Sequence, residues 1–263
     1  MQKCIGIIGV GNMGEALLAG LVKAGQGQIC FAEKRDERAA EIASKYGAIR
    51  KELSGIASDC DLIFLVVKPQ DLENTLEQLK PNLGEQTTLV SFVAGKTTAF
   101  IAERAKPTNA VIRVMPNTPT LIGTGMAAIS AGPNATATDL DFISTLLAAS
   151  GEVVTVDESL QDAVTSLSGS GPAYFFAFIE AMISAGVELG LPSDVATKLA
   201  NQTILGAAEM LVQTGTSATT LRENVTSPNG TTAAALKVFS DEHLSEIVKR
   251  AMTAARNRSQ ELA

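Results

Sequence analysis

The stretch Lys3-Cys4-Ile5-Gly6-Ile7-Ile8-Gly9-Val10-Gly11-Asn12-Met13-Gly14 decides how the rest of the chain is read. Residues 3–9 are an apolar run without polar alternation, the pattern of a strand covered on both faces. Residues 15–24 then carry helical spacing up to Gly25. A glycine-spaced turn between a buried strand and a helix is a dinucleotide-binding fingerprint. Gly9 permits the tight turn, Gly11 lets a pyrophosphate approach the backbone, and Gly14 lets the helix pack close to the strand. Asn12 and Met13 lie in the same turn, where free N–H groups and the positive end of the helix dipole attract phosphate. With 22 glycines in the chain the spacing alone is a weak signal; its place between strand and helix gives it weight.

Working outward, strand-like and helix-like segments alternate. Strands are expected at 28–33, 61–67, 87–93, 110–115, 125–130 and 152–156, and helices at 36–46, 71–80, 97–104 and 137–149. This alternation implies βαβ units and a mostly parallel, doubly wound sheet, an α/β Rossmann domain. After Val156 only helical segments follow: 159–167, 173–189, 193–214, 218–224, 231–240 and 244–261. The expected organisation is therefore a nucleotide-binding domain at 1–157 and an all-α domain at 158–263. In segment 173–189 the aromatics Tyr174, Phe175, Phe176 and Phe178 crowd together, while Glu180, Ser184 and Glu188 form one narrow polar stripe. A helix apolar over most of its circumference must be covered on nearly all sides. Burial across a homodimer interface is the expected cover, with a core inside one chain as the alternative.

The formal net charge of −7 argues against nucleic acid and anionic membrane as partners. Segment 173–189 is too short and too charged to span a bilayer. Met1-Gln2-Lys3 leads directly into a strand, which leaves no room for a signal peptide, so a cytoplasmic location is expected. Cys4, Cys30 and Cys60 are widely spaced and form no CxxC pattern, so reduced, packed thiols are expected. With one histidine, His243, both a metal site and a Ser-His-Asp triad are poorly supplied.

Further ligand contacts are expected at the carboxyl ends of strands. Glu33 closes the second strand and would accept hydrogen bonds from an adenosine ribose, the pattern for NAD. Lys34 and Arg35 follow at once and would pair with a 2′-phosphate, the pattern for NADP. The two cations tip the expectation to NADPH, with NADH still open. Val67-Lys68-Pro69-Gln70 follows the strand at 61–67; Lys68 reads equally as a cofactor contact or an exposed loop lysine. Ala94-Gly95 follows the strand at 87–93, where small residues leave space for a nicotinamide ribose.

Three segments are too specific for ordinary connections: Met115-Pro116-Asn117-Thr118-Pro119, Ser168-Gly169-Ser170-Gly171-Pro172-Ala173-Tyr174, and Thr226-Ser227-Pro228-Asn229-Gly230-Thr231-Thr232. Asn117 lies beside the cofactor crevice. Pro172 is placed to start a helix. The turn Gly230-Thr231-Thr232 opens another helix and exposes N–H groups beside hydroxyls, which suits a small carboxylate. Helix capping alone would also explain the last two segments.

In this order the glycine loop, VKPQ, MPNTP, SGSGPAY and SPNGTT resemble the pyrroline-5-carboxylate reductases, over essentially the whole chain. The resemblance implies reduction of L-1-pyrroline-5-carboxylate to L-proline with NAD(P)H, the last step of proline biosynthesis. It also implies a helical dimerisation domain, with further assembly, to decamers in some members. It would place the substrate carboxylate on the N–H groups of Ser227, Gly230, Thr231 and Thr232, with the Thr232 hydroxyl facing the ring nitrogen. One departure is Asn229, where many members have glycine; Asn tolerates the left-handed backbone better than other non-glycine residues.

Two rivals are weighed against this. A β-hydroxyacid dehydrogenase needs a catalytic Lys with an Asn four residues on, but Lys198 is followed at that spacing by Gln202 and Lys237 by Asp241. An NADP(H)-binding sensor without turnover would share the glycine loop but would not need SGSGPAY and SPNGTT together.

Overall fold

The computed structural model describes residues 3–25 and 27–262. Met1 and Gln2, on which the reading of the N-terminus partly rests, lie outside them. The chain divides into two compact units: Met1–Ser170 with Ala255–Ala263, and Gly171–Ala254.

The first unit runs β1 (Ile5–Ile8), α1 (Asn12–Lys23), β2 (Ile29–Ala32), α2 (Asp36–Tyr46), β3 (Ile49–Arg50), α3 (Leu53–Asp59) and β4 (Leu62–Leu65). It continues with α4 (Leu72–Leu79), β5 (Thr88–Ser91), α5 (Thr98–Arg104), β6 (Val111–Met115), β7 (Gly125–Ala131), α6 (Ala137–Leu147), β8 (Gly151–Thr155) and the short α7 (Gln161–Val164). The eight strands form one sheet in the order β3-β2-β1-β4-β5-β6-β7-β8. All pairs are parallel except β6 with β7. Alternate side chains enter opposite cores: Ile7, Phe64, Val90 and Ile112 pack on one face, and Ile8, Ile63, Leu89 and Val111 on the other. Coverage of both faces is why the strands read as unbroken apolar runs.

The expected architecture is present, with local differences. β3 and α3 were not expected: β3 is two residues long with both side chains exposed, so it carries no hydrophobic signal. The compact units meet after Ser170, because residues 158–170 are bonded to the sheet unit. Glu158 accepts from Thr98 N–H (2.7 Å) and Oγ1 (2.6 Å), and Gln161 Nε2 donates to Ser130 Oγ (2.8 Å).

The second unit is helical: α8 (Gly171–Glu188), α9 (Ser193–Thr214), α10 (Ala218–Asn224), α11 (Thr231–Asp241) and most of α12 (Leu244–Glu261), whose last residues belong to the first unit. α8 packs on α9, and Phe178 of α8 meets Phe239 of α11 with ring centroids 6.1 Å apart. Much apolar surface is left uncovered: Phe175 is 61% and Phe176 64% exposed, and Leu199, Leu205, Met210 and Val238 are exposed too.

One ionic cluster fixes α1 to α2. Glu15 on α1 accepts from Arg38, Lys45 Nζ (2.9 Å) and Tyr46 Oη (2.8 Å), all on α2. Arg38 Nε also donates to the Val10 carbonyl in the glycine loop at 3.1 Å. The bonds from Lys45, and then those from Arg38 and Tyr46, outweigh the cost of burial and lower the Glu15 pKa from 4.5 to about 2. With its pKa lowered in the folded state, Glu15 contributes stability that is complete above its unfolded value and lost as pH falls from about 4.5 towards 2. At neutral pH the contribution is on the order of 2–3 kcal/mol. Chemical denaturation as a function of pH should therefore show Glu15→Gln less stable than the parent at pH 7, the difference shrinking across that acidic interval. A constant difference down to pH 2 would contradict the assignment.

Candidate active site

The order of the sheet reverses between β1 and β4, and ligands in open α/β sheets lie outside the carboxyl ends of the strands at such a point. Gly9 adopts φ +91°, and a Cβ there would stand 2.7 Å from the Val66 carbonyl oxygen at the end of β4. A Cβ on Gly14 would stand 2.0 Å from the Gly9 carbonyl oxygen, so α1 can begin this close to β1 only with glycine. A Cβ on Gly11 would meet nothing within 4 Å, which leaves open space over the loop. Gly11 precedes α1 without a side-chain cap, and the first helical bond runs from Glu15 N–H to the Gly11 carbonyl at 2.9 Å. The N–H groups of Asn12, Met13 and Gly14 therefore have no partner within the helix. Open space in front of uncapped amides fits a pyrophosphate.

At the end of β2 the conflicting signals acquire a geometry. The Glu33 side chain is only 8% exposed and is held in a fork by Arg35, with Nε at 3.0 Å and Nη2 at 3.1 Å, and by the Arg35 N–H at 3.0 Å. The Arg35 side-chain bonds, aided by its backbone N–H, lower the Glu33 pKa below the usual carboxylate range. Lys34 is exposed, and Arg50 reaches the Glu33 carbonyl at 3.0 Å and Asp36 Oδ1 at 2.7 Å. Both Glu33 carboxylate oxygens thus already accept from Arg35, and the neighbourhood carries Lys34, Arg35 and Arg50 together.

Val67, Lys68 and Pro69 follow β4, with Val67 half-buried, Lys68 exposed and Pro69 opening a single 3-10 turn. Ala94 and Gly95 follow β5. Gly95 has φ +76°, but the space on its Cβ side is filled: the Leu262 backbone carbonyl carbon and Cβ both lie 2.8 Å from where a Cβ would sit. The room that small residues were expected to leave is on this side taken by the end of the chain.

Two of the three distinctive segments meet within the first unit. Asn117 follows β6; its Oδ1 accepts from Met126 N–H at 2.8 Å and its Nδ2 donates to Ser168 Oγ at 3.3 Å. Met115 Sδ lies 3.5 Å from the Cβ position of Gly169. The Asn117 side chain thus braces the MPNTP turn against β7 and Ser168. Ser168 itself lies in a π turn (Thr165–Gly169), where a continuous helix through residue 167 was expected. Single π turns are frequent at functional sites.

The third segment belongs to the helical unit. Asn229 takes φ +60°, the left-handed conformation expected of it. Gly230 precedes α11 without a side-chain cap. Its N–H donates to the Ser227 carbonyl at 3.0 Å, which closes the turn and removes that group from the set expected to hold a carboxylate. Ala234 N–H makes the first helical bond, to the Gly230 carbonyl at 3.1 Å, so the amides of Thr231, Thr232 and Ala233 have no partner within the helix. Ser227 is exposed and Thr232 half-buried.

Sequence reasoning missed Arg38, although an arginine facing Glu15 from the next helix was available as a charge pattern. It also missed Leu262, for which no local signal exists. Nor could the spacing of Cys4, Cys30 and Cys60 show that their sulfurs lie within 4.8 Å of one another.

Comparison with known proteins agrees with this geometry. Residues 158–262 match the family described as pyrroline-5-carboxylate reductase dimerisation, and residues 4–95 match NADP oxidoreductase coenzyme F420-dependent. The pyrroline-5-carboxylate reductase of Corynebacterium melassecola is 40% identical over 264 residues, covering 98% of this chain and 98% of the relative. Among solved structures, a pyrroline-5-carboxylate reductase from Coxiella burnetii superposes with TM-score 0.94 at 34% identity, covering 100% of this chain and 99% of that one. A Plasmodium falciparum pyrroline carboxylate reductase with NADP bound reaches TM-score 0.89 at 29% identity, again covering 100% and 99%. With that identity running from end to end, and with the glycine loop and SPNGTT turn both formed, the chain belongs to the pyrroline-5-carboxylate reductase family.

Proposed function

We propose that this protein reduces L-1-pyrroline-5-carboxylate to L-proline in the cytoplasm, with residues 1–157 holding NADPH and residues 158–263 holding the substrate and the second subunit. The observation that carries this reading is full-length identity of about 40% to a pyrroline-5-carboxylate reductase. The nicotinamide supplies the hydride when bound. The amides of Asn12, Met13 and Gly14 receive the pyrophosphate, and Gly9, Gly11, Val67, Lys68, Pro69, Ala94, Gly95 and Asn117 shape the rest of the cofactor's bed. In the helical unit the Thr231 and Thr232 amides receive the substrate carboxylate, with Ser227 and Gly230 fixing the turn. The Thr232 hydroxyl orients the ring nitrogen. A cyclic imine protonated on nitrogen already accepts hydride well, so no strong general acid is required. This suits a chain with a single histidine.

Neither rival is favoured. Lys237, one candidate for a dehydrogenase lysine, is bound to Asp241 at 2.7 Å on the surface of α11. A sensor would bind NADPH without consuming it when pyrroline-5-carboxylate is added.

The uncovered apolar surface of α8 and α9, together with the match to a dimerisation family, supports a homodimer through the helical region. The stretch 158–188 is long and apolar enough to cross a membrane by length and composition alone. Association with a second copy explains the same surface.

Three outcomes test the proposal. Thr232→Ala should lower kcat/KM for pyrroline-5-carboxylate by about tenfold or more, or about 1.4 kcal/mol of transition-state stabilisation; unchanged kinetics would remove Thr232 from the site. Because Arg35 occupies the Glu33 carboxylate, kcat/KM should be higher with NADPH than with NADH, and Arg35→Ala should lower that ratio. A parent ratio below one would reverse the cofactor assignment. Light scattering should give the mass of two chains, or of ten where dimers assemble further; a monomer would contradict the interface.

A further inference from the structure

The amino ends of β1, β2 and β4, opposite the cofactor crevice, gather all three cysteines. Cys4 stands just before β1, Cys30 is the second residue of β2, and Cys60 lies between α3 and β4. Parallel pairing of Gly6 with Cys30 and of Ile5 with Leu62 brings these strand starts side by side. The Cys4 and Cys60 sulfurs are 3.4 Å apart, those of Cys4 and Cys30 are 4.0 Å apart, and all three lie within 4.8 Å of one another. All three are free thiols, Cys30 and Cys60 buried and Cys4 half-buried. Gly6 makes the room: a Cβ there would stand 3.0 Å from Cys60 Sγ and 2.7 Å from Ile56 Cγ2.

Zinc–thiolate bonds are about 2.3 Å, which sets the sulfurs of a tetrahedral site about 3.8 Å apart and those of a trigonal one about 4.0 Å apart. The observed triangle spans these values. We propose that Cys4, Cys30 and Cys60 form a binding site for one thiophilic divalent cation of the zinc class, with the fourth position open to water beside half-exposed Cys4. On binding, three S–H bonds break, three S–metal bonds form and three protons pass to solvent; no atom changes oxidation state. The donor set contains neither a hard oxygen nor an imidazole, which selects against magnesium and calcium. Three thiolates around a divalent ion leave one negative charge, against two for a monovalent ion, so the divalent ion is better suited to a buried place. Lys51 lies close enough for its charge to be felt by Cys30 and Cys60, although it is also bound to Asp59 at 2.5 Å. Such an ion would tie β1, β2 and the start of β4 together at the end away from the cofactor, so it would act on stability rather than on hydride transfer.

Metal-free protein titrated with Cd²⁺ should develop a thiolate-to-metal charge-transfer band that saturates at one ion per chain, and Zn²⁺ should displace the Cd²⁺. Cys30→Ala and Cys60→Ala should abolish the band. Should these buried variants fail to fold, Cys4→Ser at the half-exposed corner should weaken Cd²⁺ affinity at least tenfold with an unchanged circular dichroism spectrum. In the parent protein, Zn²⁺ should also protect Cys4 from alkylation, as mapped by mass spectrometry. The proposal is overturned if no band forms at one equivalent. It is equally overturned if affinity is the same in Cys4→Ser, or if Cys4 and Cys60 form a disulfide and no ion is retained.

Discussion

The structure turns on two helices that begin at glycine. Three helix starts are capped by a side chain: Thr97, Thr136 and Ser217 accept from the first turns of α5, α6 and α10, whereas α2, α3, α4, α7 and α9 have no such cap. Gly11 and Gly230 cannot supply one, and α1 and α11 start without a side-chain cap. Each start thus leaves amides with no partner in their helix, and glycine in place of a capping side chain costs about a few tenths of a kcal/mol. An anion placed there offsets that cost and gains from the dipole. The two ligand ends that the family requires, a pyrophosphate and a carboxylate, are both anionic. On the proposed function, these two glycine starts are where the anionic ends of the two ligands would lie.

Holding the first of these starts in place falls to charge as much as to packing. Arg38 joins the Val10 carbonyl to Glu15 and Glu41, so the glycine loop, α1 and α2 share one guanidinium. The Glu15 and Arg38 side chains are each about four-fifths covered, and there a multiply bonded pair is worth more than an exposed one. Next to it, Arg35 neutralises Glu33. Residues 33–35 therefore carry two cations and one carboxylate, both oxygens of which are already bonded to Arg35. The signals of acid and cation cannot be separated by listing residue types, because Arg35 counts towards both until its fork on Glu33 is seen.

Long helices were legible because their periodicity is strong: α2, α9 and α12 lie where it places them, α2 and α9 ending at Gly47 and Gly215, while the short α10 is marked by its Ser217 cap. β3 and α3 were not, since two exposed residues and a seven-residue helix carry too little pattern. Within the site, the glycine loop and the Asn229 conformation were readable, because backbone geometry there depends on the local residue. The consumption of Gly230 N–H by Ser227, the bracing of Ser168 by Asn117 and the packing of Leu262 on Gly95 were not. Each depends on where a turn closes or on which distant segment arrives. The cysteine triangle is the extreme case: residues 26 and 56 positions apart from Cys4 become neighbours solely through parallel register.

Register also explains a charge that sequence alone would place on the surface. Arg113 lies in the middle of β6 between Ser91 and Ser130, and its side chain is only 4% exposed. Glu158 and Asp162 face it at 3.5 Å and 3.8 Å, yet each has a shorter bond elsewhere, Glu158 to Thr98 and Asp162 to Ser259 Oγ at 2.7 Å. Nε and Nη2 of Arg113 have no hydrogen-bond partner among the described residues. A buried cation held this loosely costs more than it returns as a pair, and an apolar residue of similar volume would be the more stable choice for the strand alone. What the charge does achieve is convergence. It draws α5, the segment after β8 and the end of α12 onto one strand, two residues ahead of the MPNTP turn. Without the cation, two carboxylates four residues apart would face an apolar strand with no positive charge between them, and the segment carrying Ser168 would lose a reason to lie against Asn117.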